Sequence, residues 1–276
     1  MSMAITPSGD KRPLALSVEG LTYAFNESMP LFANLSFTIR EGEFVSLLAP
    51  SGIGKTTLFR LLAGLLTPQG GSIRLGAEKV EPSGAAHRRQ SGRIGYMPQR
   101  DSLMPWRSVL DNAALGLELS GIPRREARRR VRELLPTFGL EGTEEKRPHE
   151  LSGGMRQRVS FLRSVLGGGE LLLLDEPFSA LDAMTRISMQ EWLLQIWEQH
   201  RKTILFITHD IDEALLLSDR VLVAEASPVS IMKELAVALP RPRTYQTVLD
   251  DSFVLLKRQA LGLLGKEAAR QEGASR

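Results

Sequence analysis

The chain has no cysteine, which excludes disulfides, thiolate catalysis and cysteine-ligated zinc. Histidine is nearly as scarce. The four, His87, His149, His200 and His209, are too few and too scattered to suggest a metal cluster. Long apolar runs are missing as well: Leu171–Leu174 and Leu215–Leu217 are typical, far below the roughly 18–20 residues that a membrane-spanning helix needs. The opening MSMAITPSGDKRP has no apolar signal core, so a soluble cytosolic chain that meets a membrane only through a partner is expected. No charge sign is in excess, with 35 Lys+Arg against 32 Asp+Glu and a formal net charge of +3. That balance argues against a nucleic-acid partner held by bulk electrostatics. Apolar residues at 42% and charged residues at 24% of 276 are ordinary for a folded protein and exclude intrinsic disorder.

What is present reads as an α/β chain. Leu14–Phe25 reads as a strand and a turn. Leu35, Phe37 and Ile39 alternate with Ser36, Thr38 and Arg40, the period of a half-buried strand. Phe44–Leu48 is a short apolar run, as expected for a strand buried on both faces. It leads into Ala49-Pro50-Ser51-Gly52-Ile53-Gly54, after which Leu58, Leu61, Leu62 and Leu65 mark one helix face. Further β pieces are expected at Ser72–Leu75, Ile94–Met97, Leu171–Leu174, Thr203–Thr208, Val221–Val223 and Val229–Leu235. The stretch from about Leu103 to Leu166 is helical in pattern, and an amphipathic helix is expected over 249–267.

Strand, glycine-rich loop and helix form the setting of a phosphate site, and Gly54-Lys55-Thr56 nearly completes G-x-x-x-x-G-K-[ST]. Glycines let successive N–H groups curl around phosphate oxygens at the positive end of the helix. Lys55 would bridge the outer phosphates and the Thr56 hydroxyl would ligate Mg²⁺. Ala49 stands where the pattern has its first glycine. A methyl group is tolerated there at negative φ, whereas positive φ would cost about 1–2 kcal/mol. Asp175-Glu176 ends an apolar run, where a carboxylate at a strand's C-terminal edge can reach the Mg²⁺ shell. Asp175 would hold the ion through water, and Glu176 is placed to polarise the attacking water.

Between these elements stands Leu151-Ser152-Gly153-Gly154-Met155. With Tyr96-Met97-Pro98-Gln99, Ser179-Ala180-Leu181-Asp182 and His209 in order around it, the chain resembles the ATP-binding-cassette (ABC) family, whose signature is LSGGQ. The resemblance covers residues 14–235 and implies a P-loop NTPase fold. That fold has a RecA-like core, an antiparallel β subdomain and a helical insertion at about 100–166, leaving 236–276 as a C-terminal extension without a functional account. It implies ATP and Mg²⁺ as ligands, with Pro50, Ser51, Gly52, Ile53, Gly54, Lys55, Thr56, Thr57 and Gln99 around the nucleotide. Phe25 would stack on adenine, with Tyr23 in reserve. Glu176 is then the general base, His209 the γ-phosphate holder, Lys55 a catalytic cation, and Thr56, Gln99 and Asp175 the metal side. Ser152, Gly153, Gly154 and Met155 would cap the nucleotide of a second subunit in a head-to-tail dimer, and Asp182 would shape the seam.

Met104-Pro105-Trp106-Arg107-Ser108-Val109-Leu110-Asp111-Asn112 resembles a stretch of importer subunits serving nitrate, sulfonates, taurine and related solutes. Ser108 and Asp111 are spaced as a helix cap. Trp106 either packs inside the insertion or faces a permease. Arg124, Arg125, Arg128, Arg129, Arg130 and Arg132 flank an apolar stripe of Ala127, Val131, Leu134 and Leu135, the pattern of a helix with a solvated charged side, or of one facing anionic lipid. The resemblance implies the ATPase motor of an importer at the cytoplasmic face of the cell membrane, with a permease and an external solute-binding protein and no nucleic acid. The rival readings are a non-transport ABC ATPase and a nucleotide-binding module that does not hydrolyse.

Overall fold

The computed structural model describes residues 12–26, 30–50, 52–80, 93–167, 169–179, 181–224 and 228–274, with side chains described to residue 264. Ser51, His87, Ala180 and the N-terminal leader lie outside them. The first elements are β1 (Leu14–Ala24), β2 (Pro30–Arg40), β3 (Phe44–Leu48), α1 (Lys55–Leu62), β4 (Gly70–Leu75), β5 (Glu78–Lys79) and β6 (Ile94–Met97). The helices α2 (Val109–Leu119), α3 (Arg124–Leu134) and α4 (Gly153–Leu166) follow. The chain continues through β7 (Leu171–Asp175), α5 (Ala183–His200), β8 (Thr203–Thr208), α6 (Ile211–Leu217), β9 (Arg220–Ala224), β10 (Met232–Ala236) and α7 (Asp251–Ala274).

Two sheets result. One is antiparallel, ordered β2-β1-β4-β5, and the other is six-stranded, ordered β10-β9-β3-β8-β7-β6. In the second, β9, β3, β8, β7 and β6 run parallel and β10 closes one edge antiparallel. Strand alternation builds the two cores between which this sheet lies. Phe44 and Leu48 of β3, Leu172 and Leu174 of β7, and Ile204 and Phe206 of β8 face the helices α2 to α7. Val45 and Leu47, Leu171 and Leu173, and Leu205 and Ile207 face α1 and the antiparallel sheet. Each such side chain, removed from water, contributes roughly 1.5–3 kcal/mol. These runs carry no polar alternation because both faces are covered.

The helical insertion is tied down by polar contacts that its apolar pattern does not reveal. Ser108 caps α2, its hydroxyl accepting the Asp111 N–H at 3.2 Å. Asn112, fully buried, accepts the Met104 N–H at 2.7 Å and donates to the carbonyls of Met104, Arg107 and Ser108. The loop it staples leaves Trp106 71% exposed, so of the two sequence readings the ring faces outward. On α3, Ala127 and Val131 are buried. Arg124 and Arg128 reach across to Asp111 at 3.0 and 2.8 Å, while Arg129 and Arg130 pair with Glu126 on α3 itself. The charged side of α3 therefore helps hold α3 to α2.

The segment after β10 closes over α6. Arg241 lies 4.2 Å from the Trp197 ring centre and pairs with Asp219 at 2.9 Å. Arg243 is only 4% exposed. Its Nη1 donates to the carbonyls of Leu215, Leu216 and Ser218, and its Nη2 to those of Val237 and Leu239. A cation thus sits on the last carbonyls of α6, where the helix dipole favours positive charge. Burial, with Arg241 nearby, lowers the Arg243 pKa to about 10, so it stays charged at neutral pH. Past this point α7 packs Phe253 and Ala260 inward and runs to Ala274, beyond the 267 expected from sequence.

Arg243→Ala is expected to lower unfolding free energy by about 2–4 kcal/mol, because buried carbonyls lose their donors. Arg243→Lys should recover only part of this, since an ammonium has three donors and no planar fork. Urea unfolding of the three proteins checks both statements, and an unchanged midpoint for the alanine variant would refute the first.

Candidate functional site

Parallel register delivers the site residues to one sheet edge. Leu48 of β3 pairs with Thr208 of β8, Ile207 with Asp175 of β7, and Leu174 with Met97 of β6. The loop after β3, the acidic pair, His209 and Gln99 therefore leave the sheet at one level, its C-terminal edge.

The loop turns into α1 through Gly52 at φ 85° and Gly54 at φ 99°. A Cβ at Gly52 would meet nothing within 4 Å, so glycine there serves backbone conformation rather than space. Ala49 is not among the positive-φ residues, which removes the strain its methyl group would otherwise carry. Gly54 caps α1 without a side-chain hydrogen bond, so among the described residues no side chain caps the first N–H groups of that helix, as an anion cradle requires. Ile53 joins the core beneath the loop and Thr57 is buried in α1. Pro50 is exposed.

Lys55, 8% exposed, donates to the Ala49 and Pro50 carbonyls at 2.9 and 3.0 Å. Its ammonium also lies 3.4 Å from Glu176 Oε1. The Thr56 hydroxyl donates to Asp175 Oδ2 at 2.9 Å. Burial pushes the Asp175 carboxyl above its ordinary pKa, partly offset by that hydroxyl. A hydroxyl and a carboxylate in contact at a strand end are hard oxygen donors, a set that fits Mg²⁺ kept partly hydrated.

Glu176 is the hub. Besides Lys55, its Oε2 accepts from Gln99 Nε2 at 3.2 Å and lies 3.4 Å from His209 Nδ1. Its φ is 45°, an unusual value for a non-glycine residue, held by its N–H donating to the Ile207 carbonyl at 3.0 Å. Three residues singled out from sequence thus meet around the carboxylate of a fourth, with Thr56 and Asp175 next to it.

The remaining expected residues occupy other places. Phe25 is 65% exposed at the end of β1, edge-on to Tyr23 at 5.4 Å. Tyr23 packs against the core, which leaves Phe25 as the free ring of the pair. Ser152 caps α4, its hydroxyl accepting the Met155 N–H at 3.2 Å. Gly154 is held by packing: a Cβ there would lie 2.9 Å from Thr185 Cγ2 on α5. Met155, the departure from LSGGQ, packs against the larger core, which accounts for an apolar side chain there. Asp182 caps α5 by accepting the Thr185 N–H at 3.1 Å, and Thr185 holds its carboxyl below the usual range.

Sequence reasoning missed the groups that join these parts. Arg156 pairs with Asp101 at 3.0 Å, and Arg163 donates to the Asp101 and Ser102 carbonyls. The signature helix is thereby bound to the loop that follows Gln99. Buried Gln157 donates to the Pro177 carbonyl beside Glu176. A lone Asp101 and an Arg-Gln-Arg triplet carry no periodic or spacing signal that assigns such partners.

A glycine-turned loop between a parallel strand and a helix, with a lysine and a facing acidic strand, defines a phosphate-binding-loop NTPase. The chain belongs to the ABC transporter family, whose profile matches residues 32–179. It is 42% identical over 257 residues to the formylaminopyrimidine import ATP-binding protein ThiZ of Halalkalibacterium halodurans, covering 92% of this chain and 98% of that one. It is 40% identical over 219 residues to the taurine import ATP-binding protein TauB of Escherichia coli K12, covering 79% and 83%. Among solved structures, the dimeric post-hydrolysis ATP-binding cassette MJ0796 bound to ADP and Pi matches with a TM-score of 0.72 and 27% identity, covering 82% of this chain and all of that one. The protein is thus an ATPase of this family, and none of its described helices is long and apolar enough to cross a membrane.

Gly154→Ala should lower the melting temperature, with an expected cost of about 1–3 kcal/mol from forcing α4 away from α5. Adding Thr185→Ser removes the opposing methyl group and should restore most of the loss. Failure of that rescue in thermal unfolding would place the cause elsewhere.

Proposed function

We propose that the chain is the ATP-hydrolysing motor of an importer for a small solute, working as a head-to-tail pair of cassettes beneath a separate membrane permease. What carries this reading is the meeting of Lys55, Gln99 and His209 on Glu176 beside the Thr56–Asp175 pair. The relatives named for import support the direction of transport, and the dimeric cassette supports the pairing. The location that follows is the cytoplasmic face of the cell membrane, with an external solute-binding protein delivering cargo. ThiZ and TauB are named for different solutes at nearly equal identity, so the proposal stops at small solutes of their kind.

Each residue's task follows from its chemistry. Lys55 offsets charge on the outer phosphates, and the free N–H groups of α1 cradle them. Thr56 and Asp175, with Gln99 alongside, would hold Mg²⁺, which supplies positive charge to the phosphate oxygens. Glu176 accepts the proton of the attacking water, and His209 orients that attack from the γ-phosphate side. Phe25 offers its exposed ring to adenine. Ser152 and the amides of Gly153 and Gly154, at the start of α4, cap the nucleotide of the second subunit, while Met155 stays in its own core. Asp182 lies at the seam, and exposed Trp106 meets the permease.

Glu176→Gln should reduce turnover by about a hundredfold or more while ATP remains bound and the protein becomes dimeric. Light scattering with ATP tests this, and a variant that stays monomeric with ATP bound would overturn the head-to-tail pairing. Trp106→Glu, at an exposed position, should leave the melting temperature unchanged and abolish co-purification with the permease. Retained co-purification would remove Trp106 from that interface.

A further inference from the structure

His209 is 57% exposed and meets Glu176 through one ring nitrogen, so its direction must be set mainly by its backbone. That backbone is fastened on both sides by a residue outside the ATP-contacting set. Glu213, on α6, is 7% exposed, and its Oε2 accepts the Thr208 hydroxyl at 2.6 Å. With its proton so committed, the Thr208 oxygen accepts the Asp210 N–H at 3.0 Å. Asp210 in turn caps α6, accepting the N–H groups of Asp212 and Glu213 at 2.8 and 3.2 Å. Both neighbours of His209 therefore belong to one closed set of hydrogen bonds that ends on the Glu213 carboxylate.

The other oxygen of Glu213 faces α5. Its Oε1 accepts Gln190 Nε2 at 3.1 Å and lies 3.9 Å from Arg186 Nε. Arg186 also donates to the Leu181 carbonyl at 3.0 Å, next to Asp182, which caps the same helix. A cavity of about 40 Å³, lined by Glu176, Ser179, Arg186, Thr208, His209, Asp210 and Glu213, lies between the two carboxylates. No direct contact with the reacting groups is needed for Glu213 to act. A carboxylate this deeply buried is costly unless its lone pairs are filled. Two donors from two elements, the Thr208 hydroxyl and the Gln190 amide, bond to it here with Arg186 at ion-pair distance, although burial still pushes its pKa above the ordinary value.

We propose that Glu213 is a positioning residue for hydrolysis: it locks the Thr208–Asp210 backbone so that His209 meets Glu176, and it ties that alignment to the placement of α5. The proposal rests on Glu176 and His209 acting as the hydrolytic pair. It gives the seam residue Asp182 a covalent and hydrogen-bonded route to the histidine of its own subunit, through the first two turns of α5.

The test is steady-state ATPase kinetics and ATP affinity of the full chain. Glu213→Ala should lower kcat by about ten- to a hundredfold, the scale of a small misalignment, with KM and ATP affinity changed less than about threefold. Glu213→Gln keeps an acceptor for the Thr208 hydroxyl and, with the Gln190 amide turned over to accept from the new NH₂, should return kcat to within about threefold of the parent. Thr208→Val deletes the same link without changing shape and should reproduce the loss. The double variant Glu213→Ala/Thr208→Val should fall no further than the worse single one. If Glu213→Ala does not fold, Thr208→Val carries the test. A normal kcat in Glu213→Ala or Thr208→Val, or a matching loss of ATP affinity in both, would overturn the proposal. Glu176→Gln is assayed beside them. Should it hydrolyse normally, the underlying reading of the site fails; should it be inactive while Glu213→Ala is normal, only the positioning role fails.

Discussion

The parallel pairing of β3, β8, β7 and β6 is the constraint on which the site depends. Each strand supplies a loop at its C-terminal end, and the register makes those ends level: Leu48 with Thr208, Ile207 with Asp175, Leu174 with Met97. A one-residue slip would interchange the two faces of a strand. It would also pull its loop out of line with the others by about 3.3 Å, comparable to every contact that Glu176 makes. Such a slip is opposed by both cores together. Phe44, Leu174 and Phe206 on one face and Val45, Leu173 and Ile207 on the other are all buried, so neither face could accept the exchange without creating voids.

Charge balance at the edge follows from that geometry. Asp175 and Glu176 are adjacent carboxylates, one of them 1% exposed, and their repulsion is offset locally by Lys55 and by the Thr56 hydroxyl. Asp175 and Glu176 point to different partners because Glu176 turns through positive φ immediately after the strand ends. Asp175 continues the strand toward Thr56. Glu176 turns across the loop to meet Lys55, Gln99 and His209. Two neighbouring acids thereby face different partners without competing for the same donors.

Local patterns made part of this legible. The apolar runs at Phe44–Leu48 and Leu171–Leu174 identify strands buried on both faces, the glycines and Lys55 identify the phosphate loop, and Ser108 with Asp111 identifies a cap. Each of these signals lies within a few residues. The rest depends on distant segments of the chain. Arg243 reads as one more basic residue in a proline-rich stretch, yet it is buried against α6, more than twenty residues earlier in the chain. Glu213 reads as an ordinary acid in the first turn of a helix, and only the packing of α5 supplies Gln190 and Arg186. Trp106 could face either way until Asn112, buried with four hydrogen bonds to the loop, decided it. Such side chains bond to backbone carbonyls or to partners beyond the reach of periodicity.

The same long-range bonds explain how an inserted segment can belong to the engine. The signature helix α4 begins with Ser152, remote in sequence from Lys55, yet it is fixed at three points that adjoin the catalytic edge. Arg156 and Arg163 hold the loop after Gln99, Gln157 holds the carbonyl of Pro177 next to Glu176, and Gly154 abuts Thr185 beside Asp182. A displacement of the loop after Gln99 or of the acidic strand's end must therefore move the start of α4 or break a charge-assisted or buried hydrogen bond, at a cost of about 1–3 kcal/mol each, while the first turn of α5 packs against Gly154. Two hydrogen-bonded anchors of that size and one close packing contact hold α4 to the edge.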